Sequence, residues 1–336
     1  MELPWDVAAR RAGQLAPAGP SGTKASLGGV VSSLRRAART APELVAGITG
    51  LHDAASTARK FPVYVVDRAR WSEANAELFA SLAGNSLGLD GWLQARLAAE
   101  ETGALLAVLS TRVLGQFDPY LSRGRLLLVA PNIVQVERQL DLDVMDFRLW
   151  VCLHEQTHAV QFAAAPWLSA HLRGRIATVA AGLEDQEAGP VRVKNAVRAI
   201  TDLVRGKDGA VGVLSALLTP EESHHLDHII AVMSLLEGHA DVVMDTVGPS
   251  RIPSVRRIRA SFERRRDGVG PADLLLRRLT GMDDKLAQYR EGAAFVRAVV
   301  DKVGHQGLNA VWAGSDNLPV PDEIPHPERW VKRIHG

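Results

Sequence analysis

The stretch Val151-Cys-Leu-His154-Glu155-Gln-Thr-His158-Ala-Val160 decides the reading of this chain. It contains the pattern H-E-x-x-H, and its surroundings read as helix. Phe147 to Leu153 form a mostly apolar lead-in, Gln156 and Thr157 are uncharged, and Ala159 and Val160 are small or apolar. A buried helix from about Asp143 to Ala163 is therefore expected. On it His154 and His158 lie one turn apart on the same face, close enough to offer two imidazole nitrogens to one metal ion. Glu155 then stands beside the metal, where a carboxylate can take a proton from a water whose pKa the cation has lowered toward neutrality. Chance alone gives the bare pattern in about 2 of 100 chains of this composition, so the context carries the weight. Two histidines and a glutamate on a helix that is apolar on nearly every side need compensation for their burial. Two hydrogen-bonded core histidines without a metal are the competing reading.

A catalytic zinc takes three protein ligands and leaves a fourth position to water. The extended pattern H-E-x-x-H-x-x-G-x-x-H fails, because Gln161 and Ala164 occupy its Gly and His positions. The third ligand must come from elsewhere. Thr219-Pro220-Glu221-Glu222 is a helix start, with Thr219 as N-cap, Pro220 at the first helical position and Glu222 closing a capping box. The helical pattern runs to about Val247, where Gly248-Pro249 stop it. Its second half, Ile229 to Met244, is apolar on nearly all faces yet carries Glu237 and Asp241, about 40° apart, on the side shared by Ile230, Met233 and Met244. Buried carboxylates ask for a cation. Glu237 is the expected third ligand, and Asp241 the expected acceptor for the second N–H of a ligating imidazole, His154. Gly238 is expected to let the two helices approach closely. His239 is the rival ligand, but it points about 200° from Glu237. His224 and His228 are also four apart, yet His228 lies about 180° from Glu237, so the cluster His224-His225-Leu-Asp-His228 reads as a solvated face.

Composition excludes several classes. The 336 residues carry 39 Lys+Arg against 38 Asp+Glu, a net charge of +1, with 46% hydrophobic residues. Such a chain can bury a large core, and its charge balance argues against nucleic acid as a partner. The single cysteine, Cys152, can form neither an internal disulfide nor a Cys-rich cluster, so any metal is held by His and carboxylate. The start Met-Glu-Leu-Pro-Trp-Asp lacks the basic and apolar regions of a secretory signal, and no apolar run approaches the roughly 20 residues that span a bilayer. A cytoplasmic protein without a membrane span is expected; oligomeric state leaves no mark on the sequence.

Most of the chain reads as helix. Ala25 to Arg39 forms an amphipathic helix with Arg35, Arg36 and Arg39 toward its end, and Leu15 to Gly22 a linker. Two segments read as strands, Phe61 to Asp67 and Arg125 to Ala130. Surface loops are expected near Leu183 to Pro190, Arg205 to Gly212 and Gly248 to Pro253.

The combination of Phe147-Arg-Leu-Trp150-Val-Cys-Leu-His154-Glu155-Gln-Thr-His158 with Leu236-Glu237-Gly-His-Ala-Asp241-Val-Val-Met-Asp245 resembles a family of zincin-like metallopeptidases found mainly in actinobacteria. Some of its members are associated with biosynthesis of the deazaflavin coenzyme F-420. The resemblance covers the chain from the Trp5 region through Gly281 to Val303. It implies an α+β, predominantly α-helical, zincin-like fold over residues 1–336, with a small β-sheet and the H-E-x-x-H helix in the core. Within it are expected a helical N-terminal segment (1–60), the sheet with the motif helix (61–165) and a helical part bearing the third-ligand helix (166–336). The separation of His158 from Glu237, 237 − 158 = 79 residues, exceeds that of compact zincin subgroups, so the ligand assignment rests on helix geometry.

The expected activity is zinc-dependent hydrolysis of a peptide or other amide bond, with Glu155 as general base and a peptide or protein as substrate. Zn2+ follows from the His/His/carboxylate donor set, which another divalent ion also fits. Tyr120, His239 and Arg148 are candidates by residue type for the oxyanion donor. Strand Arg125 to Ala130, if it borders the cleft as the resemblance implies, offers a free edge to an extended peptide. The alternatives are a non-catalytic protein in which zinc ties two helices together for an interaction or accessory role linked to deazaflavin metabolism, and a metal-dependent amidase or esterase acting on a small molecule.

Overall fold

The computed structural model describes residues 3–83, 91–121, 124–184, 219–267 and 283–336. Over these residues the fold is α+β and predominantly helical, with one three-stranded sheet. The helices are α1 (Trp5–Leu15), α2 (Lys24–Thr49), α3 (His52–Ala58), α4 (Arg68–Ala83), α5 (Trp92–Leu109), α6 (Ala130–Gln139), α7 (Val144–Ala164), α8 (Leu168–Glu184), α9 (Pro220–Thr246), α10 (Val255–Asp267), α11 (Asp283–Leu308) and α12 (Pro327–His335). The strands are β1 (Val63–Val66), β2 (Gly115–Asp118) and β3 (Arg125–Val129). The expected turn at Gly248 to Pro253 links α9 to α10. Most of Leu183 to Pro190, and all of Arg205 to Gly212, lie outside the described residues.

The motif helix α7 forms where its sequence says. Asp143 caps it by accepting from the backbone N–H groups of Met145 and Asp146, which satisfies two otherwise unpaired donors. Phe147, Cys152, Leu153, Ala159 and Val160 are completely buried, and α7 packs against α2, α3, the sheet and α9. Helix α9, which carries Glu237, opens with the expected capping box between Thr219 and Glu222.

Helix α2 runs ten residues past the expected end at Arg39, straight through Pro42. A proline has no N–H to give the carbonyl four residues back, here that of Ala38. The side chain of Gln156, on α7, fills the gap: its Nε2 donates to Ala38 O at 2.9 Å. Arg148 makes a second buried link from the same helix. Its Nε and Nη2 donate to Glu137 at 3.0 and 2.7 Å and its Nη1 to Ser33 Oγ at 2.7 Å.

The sheet order is β1-β3-β2, with β1 parallel and β2 antiparallel to β3. The strand expected to offer a free edge is thus the central one, paired on both sides. The edges belong to β1 and β2, and sequence reading missed β2. Because Val129 N–H donates to Leu114 O, antiparallel alternation turns the backbone groups of Gln116 toward β3 and those of Gly115 and Phe117 outward. Outward here means toward α7, against which β2 packs.

Candidate metal centre

Three side chains from α7 and α9 converge. His154 Nε2 and His158 Nε2 are 3.2 Å apart, and each is 3.5 Å from an oxygen of Glu237. Among the described residues this is the one group of three or more His, Cys, Asp or Glu side chains able to share an ion. The donor chemistry fits a cation. His154 Nδ1 lies 3.1 Å from Met244 Sδ, and a thioether can only accept, so the proton sits on Nδ1 and the Nε2 lone pair faces His158 and the carboxylate. Two donor atoms on a tetrahedral ion with bonds of about 2.0–2.1 Å stand roughly 3.3 Å apart, which is the spacing observed. Glu237 is 36% exposed, so the centre opens to solvent.

Glu155 is buried at 7% exposure and sits against the edge strand β2. Phe117 N–H donates to its carboxylate; burial pushes its pKa up to about 7, with Glu237 adding to the rise while His158 and the Phe117 bond oppose it. Burial, with the neighbouring His158, pushes His154 down to about 4 and favours the neutral, ligating form. Close approach of strand and carboxylate requires Gly115: a Cβ there would lie 2.6 Å from Glu155 Cγ. Gly115→Val is expected to swing Glu155 away and lower turnover on the order of 100-fold, since a displacement of about 1 Å costs that much. Zinc content by elemental analysis should not change. Wild-type turnover in this variant would show that the contact does not position Glu155.

Several expected residues lie elsewhere. The hydrogen bond expected between Asp241 and His154 does not form. Asp241 Oδ1 accepts from Arg259 Nη1 at 3.1 Å, and Arg259 Nη2 donates to Asp241 O; a guanidinium supplied by α10 outcompetes a neutral imidazole for the carboxylate. His239 is 0% exposed, with its Nδ1 3.0 Å from Gln161 Nε2 and its ring against Trp312. It stands apart from the group of His154, His158 and Glu237 and is closed off from solvent. Arg148 is committed to Glu137 and Ser33 and is no oxyanion donor. Tyr120 follows β2 directly, with the Arg173 guanidinium 5.5 Å from its ring, and burial pushes its hydroxyl up to about 12. His224 and His228 contact each other at 4.4 Å between ring centroids and join no third metal-binding side chain among the described residues. Gly238 faces Gly292 of α11 and not α7: a Cβ on Gly238 would lie 2.2 Å from Gly292 C.

The model of the zincin-like metallopeptidases matches residues 3–331. The chain belongs to this family. Among solved structures, this zincin-like protein is similar to one from Chloroflexus aurantiacus described as "a putative hydrolase with a novel fold". The two share 31% identity over 99% of this chain and 98% of the other, with a TM-score of 0.68. A comparison with curated proteins finds no match. The family implies a divalent metal, usually zinc, and, as a family of metallopeptidases, a hydrolase. None of its described helices is long and apolar enough to cross a membrane.

Proposed function

We propose that the protein is a zinc-dependent metallopeptidase, with His154, His158 and Glu237 holding the ion and Glu155 acting as general base on water. The observation that carries this reading is the convergence of two imidazole lone pairs and a carboxylate beside a second, buried carboxylate. Zinc bound there supplies a Lewis acid that polarises a carbonyl and makes water more acidic. Glu155, poised near neutrality and held by Phe117 N–H, takes the proton of the attacking water and passes it to the leaving amine. Tyr120, whose raised pKa keeps it protonated, is our candidate donor to the developing oxyanion.

The outward groups of β2 favour a peptide over a small amide. Gly115, only partly buried, turns its N–H and C=O to the side on which Glu155 lies; an extended chain entering between β2 and α7 would pair with it by strand addition. An amidase acting on a coenzyme precursor would use the same ligands but would have no need of that pairing.

Protein purified without added metal should contain one zinc per chain, and a peptide library should be cleaved by the untreated protein and spared after chelation. Chelator-induced unfolding without cleavage at any stage would instead identify a structural ion. Tyr120→Phe should lower kcat on the order of 100-fold with little change in KM; an unaltered kcat removes Tyr120 from the mechanism.

A further inference from the structure

The geometry assigns Gln161, a residue outside the H-E-x-x-H pattern, as the positioning residue that fixes the tautomer of His158 and ties it to the helix bearing Glu237. This inference rests on the metal site proposed above. Gln161 is completely buried, one turn beyond His158 on α7. Its amide makes three contacts: Oε1 to His158 Nδ1 at 2.9 Å, Nε2 to Leu236 O at 2.9 Å, and Nε2 to His239 Nδ1 at 3.0 Å.

The orientation of that amide follows from one partner. Leu236 O is a carbonyl and can only accept, so the atom facing it must be the NH2 group. Rotating the amide by half a turn would set two carbonyl oxygens against each other in a buried site, leaving both unsatisfied. Oε1 is therefore directed at His158 Nδ1, which must carry a proton to meet it. The His158 Nε2 lone pair is then free toward His154 and Glu237. The backbone carbonyl just before Glu237 thus sets the protonation pattern of a ligand on another helix.

A glutamine does this without charge. Carboxylates commonly hold ligating histidines, but one here would stand in the interior opposite Leu236 O, acceptor against acceptor. The remaining Nε2 hydrogen of Gln161 goes to His239, which accounts for a histidine that is buried yet not a ligand.

Two measurements on the full-length protein test this. In metal-free wild type, 15N NMR of the imidazoles should show His158 protonated at Nδ1. Zinc affinity by chelator competition should weaken 10- to 100-fold in Gln161→Met, which keeps the volume and loses the amide. Gln161→Glu, which still accepts from Nδ1 but loses the tie to Leu236 O, should fall between Gln161→Met and wild type, and His239→Phe should remain within about threefold of wild type. His158 protonated at Nε2 in the wild type would overturn the inference without recourse to any variant. So would wild-type affinity in a folded Gln161→Met, or Gln161→Glu as weak as Gln161→Met, which would mean that only the link between helices matters. A wild-type protein that binds no zinc would sink the metal site itself, and the NMR result would still be read independently.

Discussion

Glu155→Gln is expected to abolish detectable peptide cleavage, lowering kcat by about 10²- to 10⁴-fold, while the purified variant keeps its full complement of zinc. The substitution changes one atom, so the fit against Gly115 survives. What is lost is the basic oxygen. His154, His158 and Glu237 are untouched and the ion remains. Metal content and turnover must therefore part company, which separates a general base from a residue that merely supports the ligands. A variant that cleaves at the wild-type rate would remove Glu155 from the mechanism, and one that loses zinc as well would make it part of the binding site.

Gly238→Ala is the second large effect. In an ordinary helix interior this exchange stabilises by about 1 kcal/mol, because alanine orders more cheaply than glycine. Here it is expected to destabilise by about 3 kcal/mol in chemical denaturation. The new methyl would fall 2.2 Å from the backbone carbon of Gly292, and Gly292 itself abuts Ser234 O, where its own Cβ would lie at 2.1 Å. No flexible side chain can yield; two backbones must separate. Since Glu237 is the adjacent residue, zinc affinity should fall with stability. A stabilised variant would show that α9 and α11 are not in close contact.

The two helices that build the site were legible because their ends and interiors agree. Asp143 and the Thr219–Glu222 pair are caps, and each leads into a run whose apolar positions outnumber what one face requires. Angular placement puts Glu237 on the side that faces His154 and His158, where the structure has it, and turns His239 the other way, into the interior. The same reasoning failed for Asp241, and the reason is a residue 18 positions away: Arg259, on α10, claims the carboxylate, and no periodicity within α9 reports on that. Met244 has that place against His154, being about 20° from Glu237 by the same helical arithmetic, but a methionine on an apolar stripe gives no signal of its own. Strand β2 was invisible for a different reason. Gly115-Gln-Phe-Asp118 lacks β-branched residues and alternation, and it is a strand because β3 pairs with it and because glycine alone admits Glu155. Gln161 was noticed only as the residue that broke a longer motif; its role needs the carbonyl of Leu236, 75 residues on.

The two unspecified letters of H-E-x-x-H are different in kind in this protein. Thr157 Oγ1 returns its proton to Leu153 O within its own helix, a bond that any helix supplies. Gln156 instead completes the hydrogen-bond ladder of α2 at the rung that Pro42 leaves open. A graft of residues 143–164 onto a foreign scaffold would carry every metal-binding letter and still strand a buried amide, unless the host brought a proline-broken helix to meet it. The portable unit is therefore a pair of helices, one with the chemistry and one with the vacancy that orients it.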